Sequence, residues 1–162
     1  MAMMTAKWEG TEYFPVLDFH HVEFYCGNAK QAAHFYRGAF GLEPVAYRGP
    51  ETGSPEAASY VLKQGKLRLV LTTPLNSRHP AAEWLKRHGD GVRDIAFSVP
   101  DPRAAHASAL SRGARSAYGP VEKKDRRGVW RAAAVKTYGE TIHSLVDESR
   151  YAGPWAPGFV PH

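Results

Sequence analysis

The sequence holds a single cysteine, Cys26, among its 162 residues. One thiol forms no intrachain disulfide, and it excludes a thiolate-cluster metal site. Its place at the end of a strand-like run reads as a buried, inert thiol, and a chain of this kind suits a reducing, cytoplasmic setting. Long apolar runs are also missing. No stretch approaches the roughly 18 consecutive apolar residues of a membrane span, and the first nine residues have no apolar segment of signal-peptide length, so no membrane partner is expected. Neither Gly89-Asp-Gly91 nor Arg48-Gly-Pro50 fits the spacing of a phosphate-cradling loop. No G-x-S-x-G elbow and no Cys/His nucleophile pair is present. Acidic residues are the scarcer charge, 16 against 21 basic, for a net charge of +5. The one dense basic cluster, Lys123-Lys-Asp-Arg-Arg127 before Gly128, lies between two strand-like runs. That placement makes it a solvated hairpin tip and argues against nucleic acid as a partner. A mild positive field suits an anionic small molecule.

What the chain does have is a repeated order of events. Around His88-Gly-Asp-Gly-Val-Arg-Asp-Ile-Ala-Phe-Ser-Val-Pro-Asp101, a glycine-rich turn enters an alternating segment in which Ile95, Phe97 and Val99 form the apolar set. This pattern predicts a half-buried strand over 92–99. Asp101 is placed to cap a following helix over 102–112, with Pro102 at its first position and Gly113 as its stop. Near the start, Phe19 to Cys26 reads as a strand, Gly27-Asn28 as turn and cap, and Ala29 to Phe40 as a helix ended by Gly41. Further strands are expected at 42–47, 58–63 and 67–73 in the first half, and at 116–121, 129–136 and 141–146 in the second. A short helix over 81–88 lies within the insertion between the halves. The fold class that follows is α+β, two β-α-β-β-β repeats.

The expected organisation is an N-terminal arm (1–13), a module (14–150) with halves 14–78 and 88–150, and a linker-like tail (151–162). The tail is rich in proline and glycine but carries Trp155 and Phe159, the composition of an ordered, extended segment lying on apolar surface. Phe35, Phe40, Val70, Ile95, Phe97 and Leu145 are expected in the core. On that reading Phe97→Ala costs about 3–5 kcal/mol.

The duplicated plan resembles the vicinal oxygen chelate superfamily of glyoxalase- and dioxygenase-like modules. The strings Phe19-His-His-Val-Glu-Phe-Tyr-Cys-Gly-Asn-Ala-Lys-Gln-Ala-Ala-His-Phe-Tyr36, Ala46-Tyr-Arg-Gly-Pro-Glu-Thr-Gly-Ser54, His88-Gly-Asp-Gly-Val-Arg-Asp-Ile-Ala-Phe97 and Thr137-Tyr-Gly-Glu-Thr-Ile-His-Ser-Leu-Val146 resemble the N-terminal module of the 4-hydroxyphenylpyruvate dioxygenase family. The tail Tyr151-Ala-Gly-Pro-Trp-Ala-Pro-Gly-Phe159 resembles the segment leading into that family's second module. The resemblance runs from about Phe14 to Val160. It implies an Fe(II) enzyme of tyrosine catabolism that converts 4-hydroxyphenylpyruvate, a 2-oxo acid, and O2 to homogentisate. It also implies that the 2-His-1-carboxylate iron site and the substrate pocket lie in a C-terminal module absent from this sequence. The sister family, 4-hydroxymandelate synthase, shares the module.

His21, Asp94 and His143 fall where metal-binding modules of the superfamily place ligands. In the resembled N-terminal module these positions are not ligands. No catalytic, cofactor-binding or metal residue is therefore assigned, and no cofactor is expected on this chain; the set His21, Asp94, His143 stands as the alternative metal site. His20 and His21 are adjacent on a strand and point to opposite faces. His34 and His106 lie on helices and read as partly exposed. Glu23 reads as a solvent-facing or hydrogen-bonded structural carboxylate.

Three functions are open at this point. The chain is the structural N-terminal half of a dioxygenase, whose partner is the C-terminal catalytic module or further copies of itself. Or it is a stand-alone small-molecule binder, or a small metalloenzyme built on the alternative set. The linker-like tail favours the first.

Overall fold

A computed structural model describes residues 13–162, so all but the last residue of the expected arm falls outside the described residues. The elements are β1 (Asp18–Tyr25), α1 (Ala29–Phe40), β2 (Glu43–Arg48), β3 (Ala57–Gln64), β4 (Leu67–Pro74), α2 (Pro80–His88), β5 (Gly91–Ser98), α3 (Pro102–Ser111), β6 (Ser116–Asp125), β7 (Gly128–Lys136), β8 (Ile142–Tyr151) and β9 (Val160–Pro161). The helices begin and end where the local chemistry dictates. Asn28 Oδ1 accepts the amide of Gln31 at 3.0 Å, and Asp101 Oδ1 accepts those of Arg103 and Ala104, which satisfies first-turn donors that have no partner within the helix. Gly41 ends α1 in the left-handed region at φ 70°, a conformation open to glycine without a Cβ penalty.

The described chain forms two compact units, residues 13–20 with Ile95–Tyr151, and His21–Asp94 with Ala152–His162. Strand order is β6-β7-β8-β5 in the first and β1-β4-β3-β2-β9 in the second. Within each half of the repeat the first strand therefore neighbours the fourth, the fourth the third, and the third the second, as the duplication requires. The sheet is mixed, β1 running parallel to β4 while β2, β3 and β4 pair antiparallel. The tail is ordered, and β9 pairs antiparallel with β2.

In the second unit Ala29 and Ala33 of α1 pack on Cys26, Leu42, Leu62, Leu69 and Leu71. In the first, Val99, Ala105 and Leu145 form one buried cluster and Ala96, Ala132 and Val146 another. Val70 and Leu145 are core as expected. Phe35 and Phe40 are not, being 56% and 58% exposed. The reason is that alanines occupy the sheet-facing positions of α1, and the two large rings lie outside them. Ile95 and Phe97 are only half-buried, and the fully buried β5 positions are Asp94 and Ala96 on the alternate face. Phe97 instead stacks on the exposed ring of Phe19 and on His143, with centroids 5.3 and 5.0 Å away. Because that ring already meets water, Phe97→Ala should cost about 2 kcal/mol in urea unfolding rather than the 3–5 of a sealed site; a loss above 3 would return it to the core.

Candidate functional site

Strand register assembles a polar row on one face of the second unit. Arg48 on β2 lies opposite Ser59 on β3, and Ser59 lies opposite Thr72 on β4. The Ser59 and Thr72 hydroxyls are 2.8 Å apart, and the Thr72 hydroxyl donates to Glu23 Oε1 on β1 at 2.7 Å. Next along are His21, two residues back on the same strand face, and Asp94 of β5, which is 3% exposed. One donor atom from each of His21, Glu23 and Asp94 lies within 4.8 Å of the other two. Trp155 from the tail sets its ring edge against His21 at 5.0 Å, and the Arg68 guanidinium lies 5.9 Å from the Trp155 ring centre.

Burial, with the Asp94 charge adding to it, pushes the Glu23 carboxyl up to about 7; the Thr72 hydrogen bond, Arg48 and Arg93 pull the other way. Glu23 thus carries its proton over much of the range where a solvated glutamate has lost it. Tyr25 is pushed up to about 12, chiefly by burial. The Arg48 side chain lies over Phe159, 5.2 Å from the ring centre, and its buried Nε has no acceptor among the described residues. Two acids and an imidazole this close together can share protons, or they can offer a one-nitrogen, carboxylate-rich donor set to a divalent cation.

The sequence-expected residues are distributed as follows. His21 and Asp94 come together, with Glu23 as the third member of the group. His143 belongs to the other unit and is engaged there, with Nδ1 2.8 Å from the Ile95 carbonyl oxygen and its ring on Phe97. His20 is buried, its Nε2 3.1 Å from Glu148 Oε2. His34 is exposed. His106, expected to be partly exposed, is instead buried on α3 with Nε2 2.9 Å from Ser116 Oγ; the small residues around it on the helix let the ring reach the neighbouring strand. The Cys26 thiol is buried and raised to about 12, mainly by desolvation, which leaves it unreactive. Lys123 to Arg127 stand at the tip of the β6–β7 hairpin, where Lys124 pairs with Glu122 at 2.7 Å. Sequence reasoning missed Arg48, Ser59 and Thr72. Their signal was a hydroxyl residue inside each of two strand-like runs, facing inward.

Among the described residues, no helix is long and apolar enough to cross a membrane. Residues 20–133 match the family model described as Glyoxalase/Bleomycin resistance protein/Dioxygenase superfamily. The chain is 43% identical over 152 residues to a 4-hydroxyphenylpyruvate dioxygenase of Tetrahymena thermophila, covering 90% of this chain and 37% of that protein. It is 42% identical over 162 residues to that of Danio rerio, covering 99% and 40%. It therefore spans about two fifths of the length of these relatives. Among solved structures, a mutant of 4-hydroxymandelate synthase from Streptomyces coelicolor superposes with a TM-score of 0.81 at 29% identity, covering 91% of this chain and 42% of that one.

Proposed function

The chain belongs to the glyoxalase/bleomycin resistance protein/dioxygenase superfamily, and from that premise we propose that it is the N-terminal, non-metal-binding module of a 4-hydroxyphenylpyruvate dioxygenase. Its role there is structural support of the catalytic half. The observation that carries this reading is the pair of coverages above: near-complete alignment of this chain at 42–43% identity to two fifths of each relative. The whole enzyme would convert 4-hydroxyphenylpyruvate and O2 to homogentisate and CO2 in tyrosine catabolism. The lone, buried Cys26 suits a cytoplasmic setting.

The Fe(II) of such an enzyme does not fit the residues present here. A 2-oxo acid dioxygenase site offers two imidazoles and one carboxylate with open positions. The group on this chain has one imidazole and two carboxylates, with one Glu23 oxygen committed to Thr72 and the positive charges of Arg48 and Arg93 acting on that same carboxyl. No catalytic step is therefore placed on His21, Glu23 or Asp94. The likeness to the 4-hydroxymandelate synthase structure supports one second reading, the equivalent module of that enzyme.

The purified chain, supplied with Fe(II), ascorbate, O2 and 4-hydroxyphenylpyruvate, is expected to form no homogentisate above background, as followed by chromatography. Turnover that His21→Ala and Asp94→Asn both abolish would overturn the structural-half reading and make the chain a metalloenzyme in its own right.

A further inference from the structure

Helix α1 is built with its small residues inward and its large ones outward. Ala29 and Ala33 face the sheet, while Phe35 and Phe40 keep more than half of their surface open. The rings of Phe35, Tyr36 and Phe40 touch one another at centroid separations of 5.4, 5.9 and 5.8 Å, so the exposed carbon is one patch rather than scattered side chains. A groove of about 720 Å³ adjoins it, walled by Phe24, Ala32, Phe35, Tyr36 and Leu71. The aromatic surface continues along the same sheet face. Tyr60 packs against the cluster beneath α1, Tyr47 lies 4.9 Å from Tyr60, and the ring of His162 lies 5.6 Å from each of them. An open aromatic patch of this kind marks a contact site on a water-soluble domain.

Charge selects the occupant. α1 carries Lys30 and Arg37 and no acidic residue; the acids around it come from other elements, Glu51 within reach of the Lys30 charge and Asp90 in the groove lining. Pairing α1 with α1 of a second copy would bring these cations together, on a chain of net charge +5. A partner with an apolar centre and an acidic rim has no such cost. The relatives carry the larger part of their length beyond the stretch this chain matches. A module joined after His162 would start on this face, where the His162 ring lies against Tyr47 and Tyr60.

We propose that the aromatic face of α1, centred on Phe35 and Phe40 and rimmed by Lys30 and Arg37, is the surface on which the second module of the full-length dioxygenase docks. This inference rests on the N-terminal-module reading. The test mixes the 162-residue chain with the second module of a matching relative, chosen for a cooperative thermal transition of its own, and measures binding by sedimentation velocity. The expected results are a complex with the parent chain, at least about 30-fold weaker binding for Phe35→Ser/Phe40→Ser, and about 10-fold weaker binding for Lys30→Glu/Arg37→Glu. Leu110→Ser, a substitution at an exposed apolar position on α3, should bind as the parent does. Each of the four chains should unfold in a single cooperative urea transition, so that binding is compared between folded chains. If the parent and the Phe35→Ser/Phe40→Ser variant bind equally, the docking face is wrong and the module reading stands. If the parent does not bind at all, both fall. If the chain instead dimerises through α1, the occupant is a second copy and the proposal is overturned.

Discussion

Above pH 7 the Glu23→Gln variant is expected to be more stable than the parent chain by about 3 kcal/mol, and below pH 4.5 the two should be nearly equal. Burial beside Asp94 raises the Glu23 carboxyl from its ordinary 4.5 to about 7, and a tenfold change in proton affinity corresponds to about 1.4 kcal/mol. The folded state binds this proton more tightly than the unfolded state. Below pH 4.5 both states hold it and the full stability is present. As the pH rises from 4.5 toward 7 the unfolded chain releases the proton first, so stability falls, and above 7 the loss is complete. Glutamine keeps an oxygen that can accept the Thr72 hydroxyl, and it has no proton to lose. The measurement is urea unfolding of both chains at pH 4.5, 6 and 8, read as the difference between them so that other titrating groups cancel. Parallel stability curves for the two chains would show that Glu23 ionises in the folded protein as it does in water.

Much of the architecture was legible because local chemistry wrote it. Asn28 and Asp101 cap helices, Gly41 ends one, and two β-α-β-β-β runs recur with the same punctuation. The composition of the tail also foretold its order, since Trp155 and Phe159 have no place in a free coil. What could not be read was which face of an element is covered. On β5, Ile95 and Phe97 look like the inward set because they are apolar, yet Asp94 and Ala96 are the sealed positions. Polarity names the inward face only when a single face is packed. On α1 the apolar residues span more of the circumference than the sheet can cover, and the alanines, being small, allow the closer approach. The Glu23 and Asp94 contact was hidden for another reason. It depends on which strands lie side by side, and no local pattern in the sequence encodes that.

Trp155→Ala tests whether the tail is part of this module's fold, and a loss of about 3–5 kcal/mol is expected. The sequence reading treats residues 151–162 as a linker-like tail, extended over apolar surface. The structure places Trp155 inside its own unit, 7% exposed, with its ring against His21 and Arg68 beside it. Ala156 is buried next to it, and β9 adds a strand to the β2 edge, which would otherwise present unpaired backbone groups. Removing the indole leaves a cavity beside the His21 imidazole and takes away the ring under Arg68, so the upper part of the range is expected. The measurement is the urea midpoint of the isolated chain at pH 6, with unchanged denaturant dependence as the sign that the native state is otherwise intact. A loss below about 1 kcal/mol would mean that the tail contributes nothing to this module alone.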